Sequence, residues 1–311
     1  MEFLSEYGMF LLKSLTIVFA MLFLLAGSFS ISKKTKPKLE ITHLNEEYEH
    51  LNGHMNKEIL GKKPSKKKKE KTKPPTLYVI DFHGDIKASQ AEQLREEITS
   101  ILTVAKPEDE ILIRLESPGG SVNGYGLAAS QLQRIRDKNI PLTVSIDKVA
   151  ASGGYLMACV ANKIIAAPFA IIGSIGVVAQ IPNFHRWLKG NNIDIELLTA
   201  GEYKRTLTLF GENTEKGRQK FQEDLEKIHA AFREFVLKNR EQIDIDEVAT
   251  GEHWLAKDAF ELRLVDQLST SDDYLIEKMA THNAYKIKVH AKASVVSKLM
   301  KPAMKLLHPW A

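Results

Sequence analysis

An α/β fold built on parallel strands, preceded by one transmembrane helix, is predicted by three observations. From Thr76 onward, short runs rich in Val, Ile and Leu alternate with segments of helical periodicity. Several of those runs end at Gly- or Pro-bearing turns. An uncharged apolar stretch lies ahead of them all. Strands that alternate with helices pair in parallel through right-handed crossovers, and 311 residues at 44% hydrophobic content suffice to bury a sizeable core.

The apolar stretch comes first. Ser14 to Ile31 holds no charged residue, and with Met9 to Leu12 it is long enough to cross roughly 30 Å of hydrocarbon. A retained anchor is expected in place of a cleaved signal, because Glu2 and Glu6 stand against Lys13 alone in the n-region. The single cysteine, Cys159, lies far downstream, which excludes a lipoprotein signal. Leu44, Tyr48, Leu51 and Met55 recur at helical spacing and predict a thin amphipathic spacer helix. Residues 62–73 then hold 8 Lys and 1 Glu, and Pro74-Pro75 follows, a composition that stays extended. Residues 1–31 are therefore read as anchor, 32–75 as juxtamembrane helix and linker, 76–291 as the folded domain, and 292–311 as a basic C-terminal segment. In that segment Val295, Leu299, Ala303, Leu306 and Trp310 oppose Lys298, Lys301 and Lys305, the pattern of an interfacial helix.

Within the domain, strands are predicted at 76–82, 110–116, 141–146, 163–168 and 285–291, where apolar and β-branched residues cluster. Helices are predicted at 90–102, 124–136, 154–160 and 254–264. A longer helix carries Phe221, Leu225, Ile228, Phe232 and Phe235 on one face. No repeat of 20 to 50 residues is present.

Composition excludes several functions. The net charge of +4 is concentrated in residues 62–73, and the remainder of the chain carries −3. A lysine run without interleaved aromatics is a poor nucleic-acid surface, so no nucleic-acid partner is expected. One cysteine permits neither an intrachain disulfide nor a CxxC metal clamp.

Three segments carry chemistry: Ser117-Pro118-Gly119-Gly120 after one strand, Ala151-Ser152-Gly153-Gly154 after the next, and Gly201-Glu202-Tyr203-Lys204 some fifty residues later. A strand running into Gly-Gly and a helix leaves backbone N–H groups aimed where an oxyanion can sit, though each loop alone is also an ordinary glycine turn. Ser152 at a helix start is either a nucleophile or an N-cap. Its base would be a histidine or a lysine. Of ten histidines, only His83, at the end of the first strand, is a candidate. Lysine becomes a usable base when burial disfavours its charge, and Lys204 sits among Tyr203, Leu207, Leu209 and Phe210.

Together SPGGSV, KVAASGGYLMA, IGSIGV and GEYKR, in that order, resemble the SppA/SohB family of serine peptidases, the signal peptide peptidase A group, and within it the membrane-anchored SohB branch. The likeness covers about Thr76 to Thr270. It implies a ClpP/crotonase-like spiral of parallel sheet turns with flanking helices, Ser152 as nucleophile and Lys204 as general base. It further implies oxyanion donors at Gly119, Gly120 and Gly153, and Ser174 orienting the lysine amine. No cofactor or metal is implied. Peptide or protein substrates, a membrane and a homo-oligomeric ring are the implied partners. Alternatives on the same fold are an acyl-CoA enzyme of the crotonase type and a non-catalytic membrane scaffold. One departure is the presence of Arg263 and Ser269 where relatives carry glycines. Lysines after the anchor place that side in the cytoplasm by the positive-inside rule, whereas the family resemblance favours a periplasmic catalytic domain at the inner membrane, which is the expectation here.

Overall fold

The computed structural model describes residues 2–31, 38–61 and 74–290. In chain order they form α1 (Glu2–Ile31), β1 (Lys38–His43), α2 (Leu44–Leu60), β2 (Thr76–His83), α3 (Ala91–Leu102), β3 (Glu110–Glu116) and α4 (Val122–Arg136). There follow β4 (Leu142–Ile146), β5 (Val149–Ala151), α5 (Gly153–Ala158), β6 (Lys163–Ala166), β7 (Ile171–Gly173), α6 (His185–Gly190) and α7 (Glu215–Asn239). The last elements are α8 (Ile245–Val248), β8 (His253–Leu255), α9 (Ala256–Glu261), β9 (Gln267–Leu268), α10 (Ser271–Met279) and β10 (Asn283–His290). The chain divides into two compact units, Met1–Leu39 with Val289–Ala311, and Glu40–Lys288. The second carries every candidate site residue.

In the first unit, α1 is one helix of 30 residues that runs through the apolar stretch. Side chains of α1 are described for residues 6–21. Among the described residues no helix is long and apolar enough to cross a membrane.

The second unit is an α/β fold around a seven-stranded sheet ordered β1-β10-β2-β3-β4-β6-β9. The ladders β10–β2, β2–β3, β3–β4, β4–β6 and β6–β9 are all parallel. Every residue of β4, and five of the seven in β3, are buried, as parallel strands covered on both faces must be. On one face Ile80, Phe82, Ile111, Ile113, Val144 and Ile146 form a core with Leu94, Ile98 and Ile101 of α3 and Ala128, Leu132 and Ile135 of α4. On the other, Leu77, Val79, Leu112 and Ile165 meet Leu44, Tyr274 and Leu275 in a smaller core. That second core holds Leu44, the first residue of α2, within the region expected to be a linker.

A second sheet, β5-β7-β8, begins where the first ends. β5 pairs with β7 in parallel, Ala151 opposite Gly173, and an isolated parallel bridge joins Ala150 to Ser117 just past β3. The sheet content is mixed where purely parallel turns were expected, because β8 runs antiparallel to β7. Trp254 belongs to this strand and not to the helix predicted over 254–264. Its ring fills the space beside Gly173, where a Cβ would lie 2.7 Å from Trp254 Cζ3, and the helix begins only at Ala256. Arg263, one of the two departures from glycine, takes a left-handed turn with a φ of 61°. The lysine run 62–73 and the C-terminal segment 292–311 lie outside the described residues.

Candidate active site

Ser152 occupies the turn between β5 and α5 with φ 53° and ψ −119°. A side chain held there stores strain of about 1–3 kcal/mol and is pushed outward from the strand-to-helix elbow. The hydroxyl makes no cap hydrogen bond to α5, so Ser152 does not serve as an N-cap by its side chain. Its backbone is fixed on both sides: the N–H donates to Gly173 C=O at 2.8 Å and its C=O accepts from Leu156 N–H at 2.9 Å.

The Ser117–Gly120 loop packs directly on this elbow. Gly119 has φ 90°, and a Cβ on it would lie 2.7 Å from Ser152 Cβ and 2.8 Å from the Gly153 nitrogen. A Cβ on Gly153 would penetrate the Tyr125 ring, 2.7 Å from its Cβ and Cδ2. Both glycines are therefore required by close approach, and Gly119 by conformation as well. Gly120 lies against the Ile86 backbone, where a Cβ would be 2.7 Å from the carbonyl carbon.

A buried hydrogen-bond chain holds this loop. Gly119 N–H donates to Ser117 Oγ (3.1 Å), Ser117 Oγ lies 2.6 Å from Tyr125 Oη, and Tyr125 Oη donates to Asp85 C=O at 2.9 Å. With the phenol proton directed to Asp85, the Ser117 hydroxyl donates to Tyr125. Burial, partly offset by that bond and reinforced by the Asp85 carboxylate, pushes the Tyr125 phenol above its ordinary value and keeps it a donor. Of the three predicted oxyanion donors, Gly119 N–H is thus engaged inside the loop. The N–H groups of Gly120 and Gly153 have no hydrogen-bond partner among the described residues. Ser117 stood in the motif read from sequence, but Tyr125 was missed, since only its burial at a helical spacing from the loop marks it.

Ser174 follows β7 and shares the backbone sign of Ser152, with φ 53°. Because Ala151 registers with Gly173, Ser152 and Ser174 each follow the last paired residues at the same end of that ladder. Lys204 lies in an arm, residues 177–213, whose one helix is α6. Lys204 is exposed, and no hydrogen bond joins its amine to Ser152 or Ser174 within this chain. Of the apolar neighbours expected to desolvate it, Tyr203 and Phe210 are each 47% exposed and Leu209 41%, while Leu207 is half-buried. The arm is fastened to the start of α7. Glu202 accepts from Lys216 at 2.5 Å, the Lys216 and Lys220 ammonium groups stand over the Tyr203 ring, and Thr206 C=O occupies the Cβ space of Gly217. Glu202 is thus turned to Lys216 and not to Lys204.

His83 is exposed and lies 3.7 Å from Glu116 in a surface pair. Among the described residues no group of three or more His, Cys, Asp or Glu side chains converges as a metal site.

This constellation can be set against known proteins. The model for peptidase family S49 matches residues 134–286, and that for the N-terminal part of the same family matches residues 2–132. The chain belongs to peptidase family S49. Among its S49 relatives, the probable protease SohB of Haemophilus influenzae is 49% identical over 97% of this chain and 93% of its own length. The probable protease SohB of Buchnera aphidicola subsp. Schlechtendalia chinensis is 49% identical over 89% of this chain and its own full length. A solved membrane-bound stomatin-specific protease, 1510-N, carrying a substrate peptide in one mutant form, superposes with a TM-score of 0.45 at 15% identity, covering 75% of this chain and 99% of its own. Membership in S49 makes the chain a peptidase.

Proposed function

We propose that this S49 member is a membrane-anchored serine endopeptidase that cuts through an acyl-enzyme on Ser152, with Lys204 as general base. The strained Ser152 elbow beside the unpartnered N–H groups of Gly120 and Gly153 carries the reading. The Ser152 oxygen attacks the scissile carbonyl while Lys204 takes its proton, and the two N–H groups receive the oxyanion. The lysine then returns the proton to the leaving amine, and water hydrolyses the ester.

In this proposal the base comes from a second copy. The arm bearing Lys204 is fastened near Gly217, and the Ser174 turn is fastened at His229, whose imidazole meets Ile175 C=O at 3.2 Å. These two fastening points lie about 18 Å apart along α7 at 1.5 Å per residue, so the helix holds the arm and the turn at separate places. The same arm leaves Val178 91% and Leu198 90% exposed, a surface that asks for cover. Packed on a neighbour in a homo-oligomeric ring, the arm delivers Lys204 to the adjacent Ser152. The apolar contact also strips water from the amine, as the chemistry needs, since a lysine in water is neutral in only about one copy in 2,500 at pH 7. The uncharged stretch 14–31 supports a single-pass anchor, and the resemblance implies membrane-derived or unfolded peptides with small or apolar residues at the cut. The resemblance favours a periplasmic catalytic side.

Mixing two inactive full-length variants, Ser152→Ala and Lys204→Ala, tests this. Recovery of peptide hydrolysis toward one quarter of the parent rate is expected when subunits exchange, because one in four neighbouring pairs then joins an intact serine to an intact lysine. No recovery in exchanged rings would remove the shared site, and full activity of Ser152→Ala alone would remove the nucleophile.

A further inference from the structure

The nucleophile elbow rests on a second strained turn, residues 173–176. Gly173 C=O takes the Ser152 N–H at 2.8 Å, and Gly173 itself has φ 104°. Ser174 follows with φ 53°, a conformation that a side-chain-bearing residue beneath the nucleophile relaxes unless neighbours over-determine it. Three neighbours do so. Ser174 N–H donates to Glu252 C=O at 2.6 Å. Gly176 packs on Gly251, where a Cβ would meet its Cα at 2.9 Å. The third is His229 Nε2, 3.2 Å from Ile175 C=O. Among the described residues it makes the one side-chain hydrogen bond to this turn. Ile175 is fully buried, so water cannot replace the donor without cost.

We infer that His229 is a positioning residue for the nucleophile: by donating from Nε2 to Ile175 C=O, it holds the 173–176 turn and thereby the Ser152 elbow. The neutral imidazole protonated at Nε2 and the imidazolium both make this bond, so the role needs a donor and no particular charge. It couples α7 to the elbow. The helix whose first turns fasten the Lys204 arm also fixes, about 18 Å further along its axis, the turn that supports Ser152. The inference rests on Ser152 as nucleophile. It places His229 in no contact with substrate.

The test uses full-length protein in detergent, with turnover of a fluorogenic peptide, the rate of Ser152 acylation by a fluorophosphonate probe, and the thermal midpoint. His229→Leu removes the donor, and kcat and the acylation rate should fall about tenfold, the value of one buried hydrogen bond, with KM within twofold of the parent. His229→Gln presents an amide N–H near the Nε2 position and should recover most of the loss. His229→Asn is one bond too short and should not. Should His229→Leu fail to fold, the Gln and Asn pair decides. Equal rates for those two, an unchanged acylation rate in His229→Leu, or a defect confined to KM would overturn the inference. Unimpaired turnover and probe labelling in a parallel Ser152→Ala control would instead overturn the nucleophile assignment.

Discussion

Replacing Tyr125 by Phe removes one oxygen from the chain that holds the Ser117–Gly120 loop, and the structure sets the size of the effect. Two hydrogen bonds go, at 2.6 and 2.9 Å. Asp85 C=O still accepts from Ala88 N–H at 2.9 Å, so it keeps a partner. Ser117 is 0% exposed, so its hydroxyl proton loses its acceptor, although Oγ still accepts from Gly119 N–H. The lost bond costs about 1 kcal/mol and the orphaned buried hydroxyl proton about 1–3 kcal/mol more, for an expected destabilisation of about 2–4 kcal/mol. In a unit of this size that lowers the thermal midpoint by about 4–16 °C. Ser117→Ala alone orphans Gly119 N–H and costs about 1–2 kcal/mol. The double variant loses the shared bond once and leaves neither hydroxyl stranded, so the two effects should fall short of additive by about 1 kcal/mol or more. Thermal or urea unfolding of the four proteins measures the cycle, and peptide turnover should drop at least tenfold in Tyr125→Phe, short of the 10²–10³ that follows outright loss of an oxyanion donor. Additivity within about 0.3 kcal/mol would show that Ser117 and Tyr125 do not act as one unit.

Two further outcomes follow from residues away from the elbow. Arg263 holds φ 61° in a turn where a side chain is strained, so Arg263→Gly should raise stability by about 0.5–1 kcal/mol, the αL penalty less the added chain entropy; a lower thermal midpoint would mean that the Arg263 side chain contributes more than the strain costs. Glu110 is buried, which alone would raise its carboxyl, yet hydrogen bonds from Lys278, Tyr274 and Thr143 hold it below the usual carboxylate range. Asp81 is lowered likewise, against its burial, by Arg114 and Lys286. A depressed folded pKa gives stability that is present above the unfolded value and lost as pH falls through the folded one, so the midpoint should hold near neutral pH and decline below about pH 4.5. Glu110→Gln should lower the midpoint at pH 7 and flatten that acid limb, and an unchanged acid limb in this variant would locate the acid sensitivity elsewhere.

The strands were legible because their physics is local. EILIRLE, with five of seven residues buried, reads as a parallel strand under any register, and the same holds for LTVSI. Trp254 was misplaced because its partner, the bare face of Gly173, lies eighty residues upstream and periodicity records no such contact. Leu44 was assigned to a spacer helix for the same reason: its burial depends on Tyr274, Leu275 and Ala284 at the far end of the chain.

The site divides along the same line. Gly-Gly after a strand announces a tight turn, so Gly119, Gly120 and Gly153 could be named, and their crowding by Ser152, the Ile86 backbone and Tyr125 in turn explains why no larger residue fits. That Gly119 N–H is already taken by Ser117, leaving Gly120 and Gly153 as the open donors, is a fact of hydrogen-bond pairing that composition cannot express. Lys204 shows the limit most clearly. Its apolar neighbours in sequence suggested a desolvated amine, but adjacency in a chain desolvates nothing unless a core covers it, and here the arm turns those side chains outward. An exposed apolar arm bearing the only candidate lysine, set about 18 Å along α7 from the turn beneath the nucleophile, makes sense as half of a site. The burial that would activate the lysine and the contact that would assemble the ring are then the same surface, so assembly and catalysis should be lost together when that surface is made polar.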